Sequence, residues 1–199
     1  MRRLALISFG SKAHSYISEC DSIQHMTQEV PYEIIKKIGD IEIRRYPEVI
    51  LAVVKGFIDD SGFGLLFQYI SGENKTRRRI AMTAPVITSE KITMTAPVFT
   101  KNEYMAFALP ASYTKETTPV PTNPAVKIEV QPEKEMAVLR FSGRTPEKRV
   151  EKFIQNLITS LQVQGIQSRG EPMLMRYNSP FTPGFLRRNE VAIEINSSK

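Results

Sequence analysis

Between Tyr32 and Ile195 the chain is written almost entirely in short β-favouring runs, and only two stretches break that pattern with helical spacing. The order is strand, strand, helix, strands, and it occurs twice: near residues 31–110 and again near 125–196. One helix cannot cover the sheet of its own half, so each half leaves an apolar sheet face bare unless the two combine. The sequence therefore predicts one α+β domain, a curved or barrel-like antiparallel sheet with two helices packed on it. The proline-rich stretch 111–125 is then a connector inside that domain.

Individual segments carry the prediction. Tyr32–Lys37 and Ile41–Tyr46 flank Gly39-Asp40, a two-residue hairpin signal, and Pro47 ends the second run. Val49-Ile-Leu-Ala-Val-Val54 is continuously apolar, as expected of a strand covered on both faces. After Asp59-Asp60-Ser61, which offers N-cap chemistry, Phe63, Leu66, Phe67 and Ile70 recur with helical spacing until Ser71-Gly72. Gly62 and Gly64 each cost this helix about 1 kcal/mol relative to Ala, so docking must stabilise it.

In the second half, Val126–Val130 and Met136–Phe141 read as strands, and Thr145-Pro146 as an N-cap with proline at the first helical position. Val150, Phe153, Ile154, Leu157, Ile158 and Leu161 line one face of a longer helix that Gly165 terminates. Met173–Tyr177 and Asn189–Ile195 close as strands, the last with Val191, Ile193 and Ile195 facing in.

An internal echo sits between the halves. Ile80-Ala-Met-Thr-Ala-Pro-Val-Ile-Thr88 is followed by Ile92-Thr-Met-Thr-Ala-Pro-Val-Phe-Thr100. Each copy reads as a strand carrying one proline. Proline donates nothing to a ladder, so Pro85 and Pro97 are expected at edges, bulges or strand ends, with a hairpin around Ser89-Glu90-Lys91.

Composition excludes several classes. With one cysteine, Cys20, and only His14 and His25 near it, neither a disulfide framework nor structural zinc is available. No apolar run approaches the 18 or so residues of a membrane span. The net charge of +6 is spread along the chain, with no basic tail to act as a nucleic-acid arm. Lys75, Arg77, Arg78 and Arg79 form the one dense basic patch, and no stacking aromatic is interleaved with them. Residues 1–30 read as a leader, where Arg2-Arg3 precede an apolar stretch too short for a signal peptide. A cytoplasmic location is the expectation, with an organelle-targeting segment the weaker alternative.

Catalytic signatures are missing: no G-x-S-x-G, H-E-x-x-H, phosphate-cradling loop or Rossmann fingerprint occurs, and both histidines lie in the leader. Glu133 and Glu135 read as solvated charge. A hydrolase would have to rely on Glu or Tyr retuned by burial, with a carboxylate at the floor of a groove. The chain is thus expected to be a binding protein and not an enzyme.

Four collinear motifs narrow the class. Tyr32-Glu33 with Ile41-Glu42-Ile43-Arg44-Arg45-Tyr46, Met94-Thr95-Ala96-Pro97-Val98, Phe107-Ala108-Leu109-Pro110, and Arg187-Arg188-Asn189-Glu190-Val191 together resemble the SOUL haem-binding protein family, over roughly residues 31–196. The resemblance implies a pseudo-symmetric distorted barrel, similar to the effector-binding domains of multidrug-responsive regulators. It also implies non-covalent binding of haem or another tetrapyrrole in an open apolar groove beside the first helix. The chain departs from the family in its extra Met-Thr-Ala-Pro-Val copy at Met82–Val86, and in Leu65 and Gln68, where other members can carry cations.

A haem site needs a flat apolar slot, cations for two propionates and, optionally, an axial ligand. Phe63, Leu66, Phe67 and Ile70 are the candidates for one wall, with Phe181, Phe185 and Leu186, in and after the loop bracketed by Pro180 and Pro183, for the other. Arg187 and Arg188 are the first candidates for the propionates, and Arg77-Arg78-Arg79 the second. His14 and His25 lie before the family-like region, where a tethered axial ligand is the lesser alternative to Met, Tyr or water. The expected role is a carrier, buffer or sensor. The alternatives are other amphipathic small molecules or a partner helix in the same groove.

Overall fold

The computed structural model describes residues 28–56, 60–76, 89–101, 104–178 and 181–196. Cys20, both histidines, Arg77-Arg78-Arg79, Pro180 and the first copy of the echo lie outside them. In chain order the elements are β1 (Gln28–Glu29), β2 (Glu33–Ile38), β3 (Ile41–Tyr46), β4 (Val49–Lys55), α1 (Asp60–Ser71), β5 (Asn74–Lys75), β6 (Thr95–Lys101), β7 (Tyr104–Ala108), β8 (Val120–Pro121), β9 (Lys127–Gln131), β10 (Lys134–Ser142), α2 (Glu147–Val163), β11 (Ser168–Arg176) and β12 (Arg188–Ile195).

One large sheet runs β2-β3-β10-β12-β11-β6-β7-β4-β9, with β1 added in parallel to β6. The two repeats meet where β11 pairs with β6. Each half also gives a strand away: β3 from the first pairs with β10, and β9 from the second pairs with β4. Only Pro47-Glu48 separates β3 from β4, and only Pro132-Glu133 separates β9 from β10, yet the members of each pair lie far apart along the sheet. Such a link reaches about 11 Å at most. The sheet must therefore curl until its two ends nearly meet, which is the expected distorted barrel, with the hydrogen-bonded path left open.

The curl separates two faces. On the outer one, α1 packs over Ile50, Ala52, Val54 and Phe107 through Leu66, Tyr69 and Ile70. There α2 packs over Ala137, Phe141, Val191 and Ile193 through Leu157 and Leu161. The inner face gathers Tyr46, Leu51, Val53, Ala106, Met136, Val138, Met175 and Ala192 from both ends of the sheet. Continuous apolarity in β4 thus reflects burial on both faces, as the sequence predicted.

Local chemistry matches most boundaries. Gly39, at φ +57°, opens the two-residue turn between β2 and β3. Pro97 falls inside a register shift between Thr95 and Val98 on the β6–β7 pair, the bulge expected of a strand proline. The start of α2 differs by one residue from the sequence reading: Pro146 and not Thr145 occupies the cap, and no side chain caps the helix. Glu147 in its first turn offers the macrodipole a carboxylate instead.

Candidate ligand-binding site

The inner face is not filled along its whole length. Beside Pro47 and between the facing ends of β9 and β10 at Gln131 and Lys134, a cavity of about 470 Å³ opens, within the range of small-molecule pockets. Its floor is apolar, with Leu51 and Met136 buried at the base and Val49, Phe99 and Met173 around them. Two features hold it open. Pro47 turns the chain out of β3, and β11 bulges between Arg169 and Met173 around Gly170, whose φ of +69° suits glycine.

Four cations and three carboxylates ring the mouth. Lys55 pairs with Glu129 at 2.9 Å, Lys101 with Glu171 at 3.5 Å, and Arg169 approaches Glu194 at 3.9 Å. Lys134, the first residue of β10, makes no such ion pair among the described residues. Burial lowers its pKa, the negative charge of Glu194 raises it, and the like charge of Lys101 lowers it again, for a net fall. Tyr104 also faces the cavity, and burial, helped by Glu129, pushes its pKa up to about 12. Tyr46 is pushed up to about 12 mainly by burial. Both phenols are therefore neutral near pH 7.

Further along the inner face lies a wholly buried carboxylate, Glu190. It accepts hydrogen bonds from Arg44 at 2.7 and 3.2 Å, from Arg188 at 2.9 and 3.1 Å, and from the Tyr177 hydroxyl at 2.7 Å. Burial alone would raise its pKa, but hydrogen bonds from Arg44 and Tyr177 and the charges of Arg44 and Arg188 outweigh burial and hold it below the ordinary value. Glu190 does not line the cavity, so it is not the carboxylate at a groove floor that a Glu-based hydrolase would need. Its oxygens are occupied by five donors and its proton affinity is lowered, which is the wrong direction for a general base or acid near neutrality.

None of the residues expected to form the groove lines this cavity. Leu66 and Ile70 point into the core beneath α1. Phe63 sits edge-on to Phe107 at 5.2 Å and stacks with Phe67 at 6.2 Å and 12°, and Phe67 remains 50% exposed. Phe181, Phe185 and Leu186 are exposed, the last two within a short 3-10 turn at Gly184–Leu186. The Arg187 Nε donates to the Thr182 carbonyl at 2.8 Å. Arg188 is engaged by Glu190 and by Glu29 at 3.0 Å, and its guanidinium lies 3.9 Å above the Tyr177 ring. The Arg-Arg-Asn-Glu segment thus supplies the buried charge cluster, and Arg188 already has carboxylate partners.

Sequence reasoning missed the cavity because it gave each late strand one inward face. Along β12 the other face, Glu190, Ala192 and Glu194, turns toward the inner space. Glu–Ala–Glu at alternate positions reads as a solvated edge, although the same spacing fits a lined cavity. In β10 the pair Lys134 and Met136, two apart and so on one face, was the available signal.

Comparisons with known proteins agree with this architecture. The family model described as "SOUL heme-binding protein" matches residues 27–194. A sequence search of curated proteins gave no significant match. Among solved structures, the C-terminal domain of EcmrR aligns with a TM-score of 0.54 at 14% identity, covering 84% of this chain and 99% of that one. EcmrR in a DNA-bound transcription complex aligns with a TM-score of 0.54 at 13% identity, covering 94% of this chain and 64% of that one. A hydrolase from Listeria innocua aligns with a TM-score of 0.46 at 11% identity, covering 89% of this chain and 98% of that one. The two EcmrR likenesses establish the shared α+β fold. No helix among the described residues is long and apolar enough to cross a membrane. With its four motifs in order and a family match spanning most of its length, this chain belongs to the SOUL heme-binding protein family.

Proposed function

We propose that the protein reversibly binds haem or a related tetrapyrrole, without catalysis of its own, as a carrier, buffer or sensor. The observation that carries this reading is the open cavity of about 470 Å³, with an apolar floor and four cations at its mouth. Those are the parts a planar amphiphile with acidic side chains requires. No histidine lies among the described residues, so Met173, Met136 or water would fill an axial position. Tyrosinate ligation at Tyr104 or Tyr46 is disfavoured by their raised pKa values.

A second reading places the ligand on the outer face. Phe63 and Phe67 form its candidate surface on α1, while Phe181, Phe185 and Leu186, with Arg187 next in sequence, offer separate exposed apolar side chains. The half-exposed Phe63–Phe67 stack favours it, since a second ring system could continue that stack.

Titration of the apo-protein with haemin, followed at the Soret band, tests both readings. Val49→Trp fills the space over the cavity floor and Phe67→Asp places a charge on the outer surface, with urea midpoints confirming that each variant is folded. Loss of saturable binding in Val49→Trp alone supports the cavity, and loss in Phe67→Asp alone supports the helix face. Absence of a saturable shift in the wild-type protein would refute tetrapyrrole binding.

A further inference from the structure

The charges around the cavity do not cancel. Lys55, Lys101 and Arg169 each face a carboxylate, and those three pairs are internally neutral. Lys134 is the remaining cation. Its position is fixed by pairing across β10 and β3, where it lies opposite Tyr46, and by its place two residues before the cavity-floor residue Met136. The side chain is half-buried, so its ammonium has lost part of its hydration without gaining a close counter-ion among the described residues. Glu194 acts on it through its charge without forming an ion pair with it, and already approaches Arg169 at 3.9 Å.

A partly desolvated cation beside an apolar floor is half of a carboxylate site. We infer that Lys134 is the anchor for a ligand's acid group, so that the cavity selects amphipathic carboxylates and discriminates against their neutral esters and cationic analogues. This rests on the proposed ligand cavity, and it adds both the ligand class and the residue that chooses it. The ligand's apolar body lies over Leu51, Phe99 and Met173, and its acid group turns back toward the start of β10. The three existing ion pairs stay intact, so binding requires no rearrangement of the rim.

The test compares haemin with its dimethyl ester, and dodecanoate with methyl dodecanoate and dodecylamine, by calorimetry and absorbance on the full chain. Wild-type protein, Lys134→Met and Lys134→Arg are measured, with urea midpoints confirming that each variant is folded. Wild-type protein is expected to prefer the acids by about tenfold or more, from one charge-assisted hydrogen bond. Lys134→Met should abolish that preference through weaker acid binding while ester affinity is unchanged, and Lys134→Arg should restore it. Undiminished discrimination in folded Lys134→Met overturns the inference. If dodecanoate binds and depends on Lys134 while haemin does not bind, the carboxylate site stands and the tetrapyrrole reading falls. If wild-type protein binds neither acid, both are rejected.

Discussion

Glu190 accepts five hydrogen bonds in a place with no solvent exposure, and Glu190→Gln changes its charge while keeping its shape. In the variant the amide oxygen can still serve one side of the cluster, but the amide NH2 must face donors on the other. The oxygen that accepts from Arg44 Nη1 and Tyr177 differs from the one that accepts from Arg188, so either flip leaves at least two donors opposed by N–H. Arg44, itself only 3% exposed, then keeps a single carboxylate partner, Glu42. Removing one member of a buried ion pair costs about 3–5 kcal/mol. At an m-value of about 2 kcal/mol/M in urea, the unfolding midpoint should fall by about 2 M. The control is Glu194→Gln, a carboxylate four residues along the same strand with one ion pair at 3.9 Å, which should change the unfolding free energy by no more than about 0.5 kcal/mol. Urea unfolding followed by circular dichroism at pH 7 reads both. The pH dependence supplies a second check with a definite sign. Because the folded-state pKa of Glu190 is depressed, its contribution is fully present above the ordinary carboxylate value of 4.5 and lost as pH falls through the lower folded value. The wild-type protein should therefore lose stability below pH 4.5 more steeply than Glu190→Gln. A midpoint drop of less than about 0.5 M with parallel acid profiles would refute the view that this cluster is a net stabilising, ionised pair.

Three further outcomes follow from the packing. Leu157→Ala removes a fully buried side chain beneath α2 and should cost about 2–5 kcal/mol, read as a urea midpoint shift at constant m-value. Gly39→Ala should cost about 1 kcal/mol in thermal unfolding through its left-handed backbone alone, since a Cβ there would meet nothing within 4 Å. Phe67→Asp should leave stability within about 1 kcal/mol of wild type, because the ring is half-exposed, whereas Leu66→Asp, one position earlier in the core, should prevent folding.

The fold was legible because its information is local. Gly39-Asp40, the continuous β4 run, the spacing in α1 and α2, and the proline inside β6 each dictate a conformation within a few residues. The six-residue stripe read along α2 contains its two buried residues, Leu157 and Leu161, and its other four are partly buried against the same core. The site was less legible because it is assembled across the sheet. Lys55, Phe99, Lys134 and Arg169 are scattered along the chain, and no spacing rule connects them. Amphipathic periodicity identified Leu66 and Ile70 but could not say whether their face met a ligand or a sheet, and it meets the sheet. The same ambiguity affected Arg188: a basic pair near a loop reads as available, and only tertiary pairing with Glu190 and Glu29 shows where its charge goes.

The exchange of β3 and β9 between the halves has a consequence for synthesis on the ribosome. When residues up to about 125 have emerged, β4 has met β7 but its other edge, reserved for β9, is bare, and β3 has no β10 to join. With the edge of β6 that awaits β11, the first half thus waits with three unpaired strand edges until the second arrives, and an open edge is a template for pairing with another chain. Nascent or truncated products should be the chaperone-dependent, aggregation-prone species of this protein, and splitting the gene at the 111–125 connector should yield two fragments that are each insoluble alone but recover a sheet when co-expressed.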